Sequence, residues 1–237
     1  MFGKNKITKP QNHSGDFLNV QEIFATIQGE GPYAGQPAVF IRLGGCNLQC
    51  SFCDTEFDSA QQLTLKNIVE ETLLLAVNNN QEIVRKLVVI TGGEPMLQPI
   101  EKLSGELIKR KFLVQIETNG TIYRKLPKAV KIICSPKNSQ KNISKNLSKN
   151  FTVKYYPIRQ DLLPRINAFK FLISANDPRY SEVSEVGQSQ YQIPVFVQPI
   201  DEYDQEKNQQ NLQKTLAIAN QFGYHISLQL HKILKIR

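Results

Sequence analysis

The chain has 237 residues, 41% of them hydrophobic and 21% charged, which suits one α/β barrel-sized domain with a sizeable core. Its 29 Lys and Arg against 21 Asp and Glu leave a net charge of +8 and a pI near 9.3, so anions are attracted to it. No apolar run approaches the ~18 residues of a membrane span, and the start, MFGKNK, lacks the apolar stretch of a signal peptide. Four cysteines, three of them clustered, are no secreted disulfide framework, so a cytoplasmic protein without membrane contact is expected.

In chain order, residues 1–15 are polar and expected to be frayed. Phe17 to Ile27 reads as an extended segment, delivering the glycine-punctuated turn of Gln28, Gly29, Glu30, Gly31 and Pro32. Ala38–Leu43 reads as a buried strand, in which Arg42 is anomalous because a guanidinium among apolar neighbours needs a partner. That partner is either a core carboxylate or an anionic group of a ligand. Thr64 is placed to cap a helix with apolar positions from Leu65 to Val77 at the 3.6 period. A strand at Lys86–Thr91 follows, then the tight loop of Gly92, Gly93, Glu94 and Pro95, and a helix from Leu97 to Lys111. Further strands are expected at Leu113–Thr118, Val130–Cys134, Ala168–Ile173 and Pro194–Gln198. A short helix should follow Pro178, an amphipathic helix should run from Tyr203 to Phe222, and a last strand from His225 to Leu230.

This strand–loop–helix rhythm predicts parallel βα units, with the informative residues just after strands. Several crossovers are short for helices, so the expected fold is α/β, an incomplete TIM barrel forming a single domain over 1–237. The tract at 138–165 departs from the rest. Its KNSQKNISKNLSK run (Lys137 to Lys149) reads as a solvated loop, since it lacks the Arg residues and interleaved aromatics of a nucleic-acid surface.

Between the strand ending at Leu43 and the helix capped by Thr64 lies CNLQCSFC, with Cys46, Cys50 and Cys53 at C-x3-C-x2-C spacing. Three thiolates on one short loop can converge on a metal centre without saturating it, whereas structural zinc and electron-transfer clusters want four ligands. The spacing resembles the radical S-adenosylmethionine (SAM) signature, in which SAM chelates the fourth iron of a [4Fe-4S] cluster.

QGEGPYAGQPAVFIRLGGCNLQCSFCDT, TGGEPMLQ, ETNGT, CSPK, FVQPID and SLQLHK occur in the order, and at about the intervals, found in 7-carboxy-7-deazaguanine synthases. The resemblance runs from Val20 to Arg237 and implies a partial TIM barrel of the radical SAM type and a homodimer. It also implies ring contraction of 6-carboxy-5,6,7,8-tetrahydropterin to 7-carboxy-7-deazaguanine with loss of ammonia, toward queuosine-type 7-deazapurines. SAM, the [4Fe-4S] cluster and Mg2+ are the implied cofactors, and a flavodoxin or ferredoxin the implied reductant. By resemblance, Cys46, Cys50 and Cys53 hold the cluster and Thr55 a magnesium ion. Phe52, Asp54, Gly93, Ser135, Pro136, Lys137, Gln198, Pro199, Ile200 and Asp201 meet SAM. Ile27, Gln28, Gly29, Arg42, Thr91, His231 and the terminal carboxylate of Arg237 meet the pterin, with Glu30 and Glu117 as further candidates for its ring nitrogens. Cys134 is expected to be an ordinary strand residue.

Two other readings compete. A glycyl-radical-enzyme activase shares the cysteine spacing but has no use for QGEG, Thr55 or a pterin-facing tail. A non-catalytic zinc protein would use the same cysteines, perhaps with Cys134, and bind RNA through its basic surface.

Overall fold

The computed structural model describes residues 5–50, 53, 55, 59–139 and 155–236. Among them, nine strands form one sheet: β1 (Phe17–Ile27), β2 (Pro37–Leu43), β3 (Gln61–Thr64), β4 (Leu87–Gly92), β5 (Leu113–Thr118), β6 (Lys131–Cys134), β7 (Ile166–Ile173), β8 (Val195–Pro199) and β9 (His225–Ile226). Their order is β3-β1-β2-β4-β5-β6-β7-β8-β9. β1 is antiparallel to both of its neighbours, and every pairing from β2 to β9 is parallel. The sheet stays open, with β3 and β9 as its edges, as expected of a partial barrel. The helices are α1 (Leu65–Ala76), α2 (Glu101–Lys109), α3 (Gln188–Tyr191), α4 (Gln205–Phe222) and α5 (Leu230–Leu234).

Period-two alternation sorts each strand between two faces. Val39, Ile41, Leu43, Val88, Ile90, Val114, Ile116, Phe169, Phe171 and Val197 join one core with Ile68, Val69, Leu103 and Leu107 from the covering helices. The alternate positions, Phe40 and Arg42, Thr91, Glu117, Lys170 and Leu172, and Gln198, face a cavity on the other side. The polar residues fall toward the carboxyl ends of these strands, where parallel α/β sheets place their sites.

Three segments differ from the sequence expectation. The helix predicted from Leu97 begins only at Glu101. Pro95–Leu97 is a single 3-10 turn and Gln98 is extended, because the residue before a proline, here Pro99, is pushed out of the α region. The region after Pro178 forms one 3-10 turn, Pro178–Tyr180, before the four-residue α3. The strand predicted over His225–Leu230 is only two residues long. Its alternation gives way to α5 as the chain turns back, with Leu230 N donating to Gly29 O at 3.1 Å.

Two long-range ties shape the site. The loop after β1 reaches the far edge of the sheet, where Gly31 N donates to Ser227 Oγ at 2.9 Å and Gln229 Nε2 to Glu30 Oε1 at 2.9 Å. Residues 5–15, expected to be frayed, lie against the cysteine loop and the 3-10 turn: Thr8 N donates to Cys46 O and Gln11 N to Leu97 O, both at 2.7 Å. No helix of the described residues is long and apolar enough to cross a membrane.

Candidate active site

The inner face of the sheet bounds a cavity of about 470 Å3, large enough for a cofactor and a small substrate. Its wall includes Ile27, Gln28, Gly29, Arg42, Cys46, Cys50, Cys53, Thr55, Thr91, Gly93, Ser135, Lys137, Gln198, Pro199, Ile200, Asp201 and His231. Sequence positions more than 200 residues apart thus meet around one space. Pro136 is buried beside the wall between Ser135 and Lys137. Phe52, Asp54 and Arg237, also expected in the site, lie outside the described residues.

At one end sit the three cysteines. Burial, with smaller contributions from the charges of Glu94, Cys50 and Cys53, pushes the Cys46 thiol up to about 12. Cys50 is also pushed up by burial. Thiols buried like Cys46 and Cys50 ionise more readily when a cation compensates them, so this end of the cavity could hold a metal centre. Their loop is held on both sides. Asn119 Nδ2 donates to Asn47 Oδ1 at 2.9 Å, and Asn47 Nδ2 to Thr121 Oγ1 at 2.7 Å. On the other side, Asn5 Nδ2 lies 3.7 Å from Cys53 Sγ and 2.6 Å from Thr55 O. Cys134 is wholly buried in β6 and outside the cavity wall.

The end of β4 packs directly on this loop. A Cβ on Gly93 would overlap the Gly45 carbonyl oxygen and come within 2.8 Å of Cys46 Cβ, so glycine is what permits the approach. The backbone there is exposed to the cavity beside the cysteines, a cradle suited to an amino-acid-like cofactor head. Behind it, burial pushes the Glu94 carboxyl up to about 7, against donation from Asn119 N, Thr118 Oγ1 and Met96 N. Lys137 folds onto its own loop, with Nζ 2.9 Å from Ser135 O and 2.6 Å from Ser135 Oγ, and burial lowers its pKa. Gln198 Oε1 accepts from Ser227 Oγ at 2.8 Å. Burial raises Asp201, but Lys232, Tyr203 N and Asn208 hold its carboxyl below the usual range.

Arg42 has found the partner it needed. Its guanidinium lies 3.0 Å from Glu22 Oε1, which β-pairing places opposite it, stacks over Phe24 and donates to Thr55 Oγ1 at 3.3 Å. The core-carboxylate reading of Arg42 is therefore satisfied, and its Thr55-facing side still lines the cavity.

Across the cavity is a second charged group. Lys170 Nζ bonds Glu30 Oε2 and sits 3.1 Å from Glu117 Oε2. Gln28, expected to meet substrate, donates its amide to Glu117 Oε1 at 2.9 Å and accepts from Glu30 N at 3.1 Å. A Cβ on Gly29 would come within 2.5 Å of His231 Nδ1, so this glycine admits the imidazole at the start of α5. Lys170, Glu22 and Asn5 were not singled out from the sequence. Lys170 carried the same signal as Arg42, a cation inside an apolar run, FKFLI. Glu22 and Asn5 gave no signal, because their partners are set by register and by a long-range fold-back.

Residues 40–138 match the Radical SAM superfamily. A 7-carboxy-7-deazaguanine synthase from Rickettsia prowazekii is 48% identical over 236 residues, covering 100% of this chain and 96% of its own. One from Rhodospirillum rubrum is 37% identical over 255 residues, covering 100% of both.

The chain belongs to the 7-carboxy-7-deazaguanine synthase family.

The crystal structure of QueE from Escherichia coli shares the fold, with a TM-score of 0.65 and 23% identity over 90% of this chain and 94% of that one. Radical SAM enzymes bring a [4Fe-4S] cluster and SAM to their chemistry.

Proposed function

We propose that this chain contracts 6-carboxy-5,6,7,8-tetrahydropterin to 7-carboxy-7-deazaguanine, releasing ammonia, as a step toward queuosine-type 7-deazapurines. The observation that carries the reading is the polarity of the cavity. Arg42 and Thr55 offer a cation and a hydroxyl at one wall, while Glu30 and Glu117 offer acceptors at another. A carboxylated pterin has the matching polarity, with an anionic carboxylate at one end and N–H donors along the pyrimidine edge of the other.

In this reading Cys46, Cys50 and Cys53 hold the cluster. SAM would be held by Gly93, by Ser135, Pro136 and Lys137 and by the Gln198–Asp201 stretch, and the family resemblance adds Phe52 and Asp54 to that set. The cluster and SAM together supply the radical that initiates rearrangement, which side-chain acid–base chemistry cannot do. The chain's own residues bind and orient. Arg42 takes the substrate carboxylate, and Thr55 joins it in a magnesium shell that waters complete. Thr91, Ile27, Gly29 and His231 contact the ring, and Gln28 steadies Glu117.

We also read the enzyme as a cytoplasmic homodimer that takes electrons from a flavodoxin or ferredoxin and binds no nucleic acid. Exposed Phe222, Ile226, Ile233, Leu234 and Ile236 near the β9 edge favour a second copy as partner. Anaerobic incubation of the reconstituted protein with the pterin, SAM, Mg2+ and a strong reductant tests the reaction. Mass spectrometry should find 7-carboxy-7-deazaguanine, and unchanged pterin over a full cluster would overturn the reading. 5′-Deoxyadenosine without that product would favour an activase instead.

A further inference from the structure

Lys170 is a charged residue of the cavity wall to which nothing above gives a task. It is 5% exposed, between the fully buried Phe169 and Phe171. Its ammonium bridges Glu30 and Glu117, which come from the loop after β1 and from β5. The other oxygens of the two carboxylates are partly used. Glu30 Oε1 accepts from Gln229 Nε2, and Glu117 Oε1 accepts from Gln28 Nε2 and Gln115 Nε2, each at 2.9 Å. A carboxylate offers about four lone-pair positions, so both keep acceptor capacity on the cavity they line.

Two half-buried carboxylates this near one ammonium behave as a unit. Burial opposes ionisation of Glu30, yet the adjacent Lys170 brings its carboxyl down to about 2. Burial likewise disfavours the ammonium, and Glu117 and Glu30 hold it well above its ordinary value. The remaining charged groups facing the unit are Lys137, after β6, whose charge acts on Lys170, and His231, on α5, whose charge acts on Glu30. β8 presents Phe196 opposite Lys170 and Gln198 two positions on, both neutral. Remove the ammonium, and the two carboxylates repel each other with no cation between them. A proton taken up by one of them turns it from acceptor to donor.

We propose that Lys170 is a positioning residue for substrate, holding Glu30 and Glu117 ionised together so that both accept N–H groups from the pyrimidine edge of the pterin. The inference rests on the pterin reading above. Lys170 needs no contact with the reacting carbon, and acts through the protonation state of the two carboxylates.

The test is equilibrium binding of 6-carboxypterin, the oxidised analogue, to the reconstituted protein with SAM. It compares the wild type with Lys170→Met and Lys170→Arg from about pH 6.5 to about pH 8.5. Taking the ratio of variant to wild type at each pH cancels the ligand's own titration. Losing one acceptor bond should weaken Lys170→Met by about tenfold at the acid end. The carboxyl left with a raised pKa ionises as pH rises, so affinity should recover toward wild type at the alkaline end. Lys170→Arg keeps the charge and should show a ratio independent of pH. A Lys170→Met deficit that is constant with pH would show a purely structural role and overturn the proposal. If Lys170→Met does not fold, Lys170→Met/Glu30→Gln removes the charge with its counter-charge and leaves one carboxylate. Its ratio should then be flat, and a pH-dependent ratio would overturn the proposal. Absence of 6-carboxypterin binding to the wild type would remove the pterin reading itself, and this inference with it.

Discussion

Arg42 Nη1 donates to Thr55 Oγ1 at 3.3 Å while its Nε side faces Glu22 at 3.0 Å. The guanidinium is thereby fixed on β2 with its face toward the cavity, before any substrate arrives. Removing the guanidinium while keeping a polar side chain, Arg42→Gln, should forfeit a charge-assisted bond of about 1.5–3 kcal/mol. We expect KM for the pterin to rise about ten- to a hundredfold with the cluster intact. Thr55→Ala should lose activity at ordinary magnesium concentrations and retain full iron. An unchanged magnesium response in Thr55→Ala would count against this residue as a ligand.

Much of this arrangement was legible in the sequence, for identifiable reasons. Arg42 and the cysteine triplet stand out because charge in a strand and thiols at short spacing are local signals. Thr64 was readable as a cap, and its side chain accepts from Asn67 N. Lys170 carried the same signal as Arg42 in FKFLI, but a single lysine among aromatics gives no hint that two carboxylates flank it. Those come from strands and loops 53 and 140 residues away. The early stop of the last strand was hidden for a different reason. HISLQL alternates as a strand should, and only the docking of Leu230 on Gly29 turns the chain into α5.

Gly93→Ala asks whether the approach of β4 to the cysteine loop matters. The added methyl would collide with backbone at Gly45, which has no side-chain freedom to yield. We expect loss of SAM binding by equilibrium dialysis and reduced iron retention, with the fold preserved by circular dichroism. SAM affinity equal to wild type would contradict the cradle.

Asn5 donates toward Cys53 Sγ from 3.7 Å. A hydrogen bond to a ligating thiolate offsets the negative charge gained on reduction, and so favours the reduced cluster. Asn5→Leu should therefore shift the midpoint potential to more negative values in an electrochemical titration. An unmoved potential with full iron content would show that the contact does not tune the centre.

Glu30 gives a pH signature to stability. Its folded pKa, about 2, lies below its ordinary value of 4.5. The contribution of the carboxylate is thus fully present above pH 4.5 and fades as pH falls toward 2. Glu30→Gln should cost roughly 3 kcal/mol near neutrality, and the gap to wild type should narrow in denaturation curves recorded down to about pH 3. A gap that stays constant would mean that the carboxylate charge is not what Lys170 holds.

The most direct measurement is a mass balance on one anaerobic reaction, with 6-carboxytetrahydropterin consumed, 7-carboxy-7-deazaguanine formed and ammonia released all determined together. The account predicts one ammonia for each molecule of product, with the pterin loss equal to both. Ammonia and product both absent from a protein carrying its full cluster, SAM and reductant would contradict it.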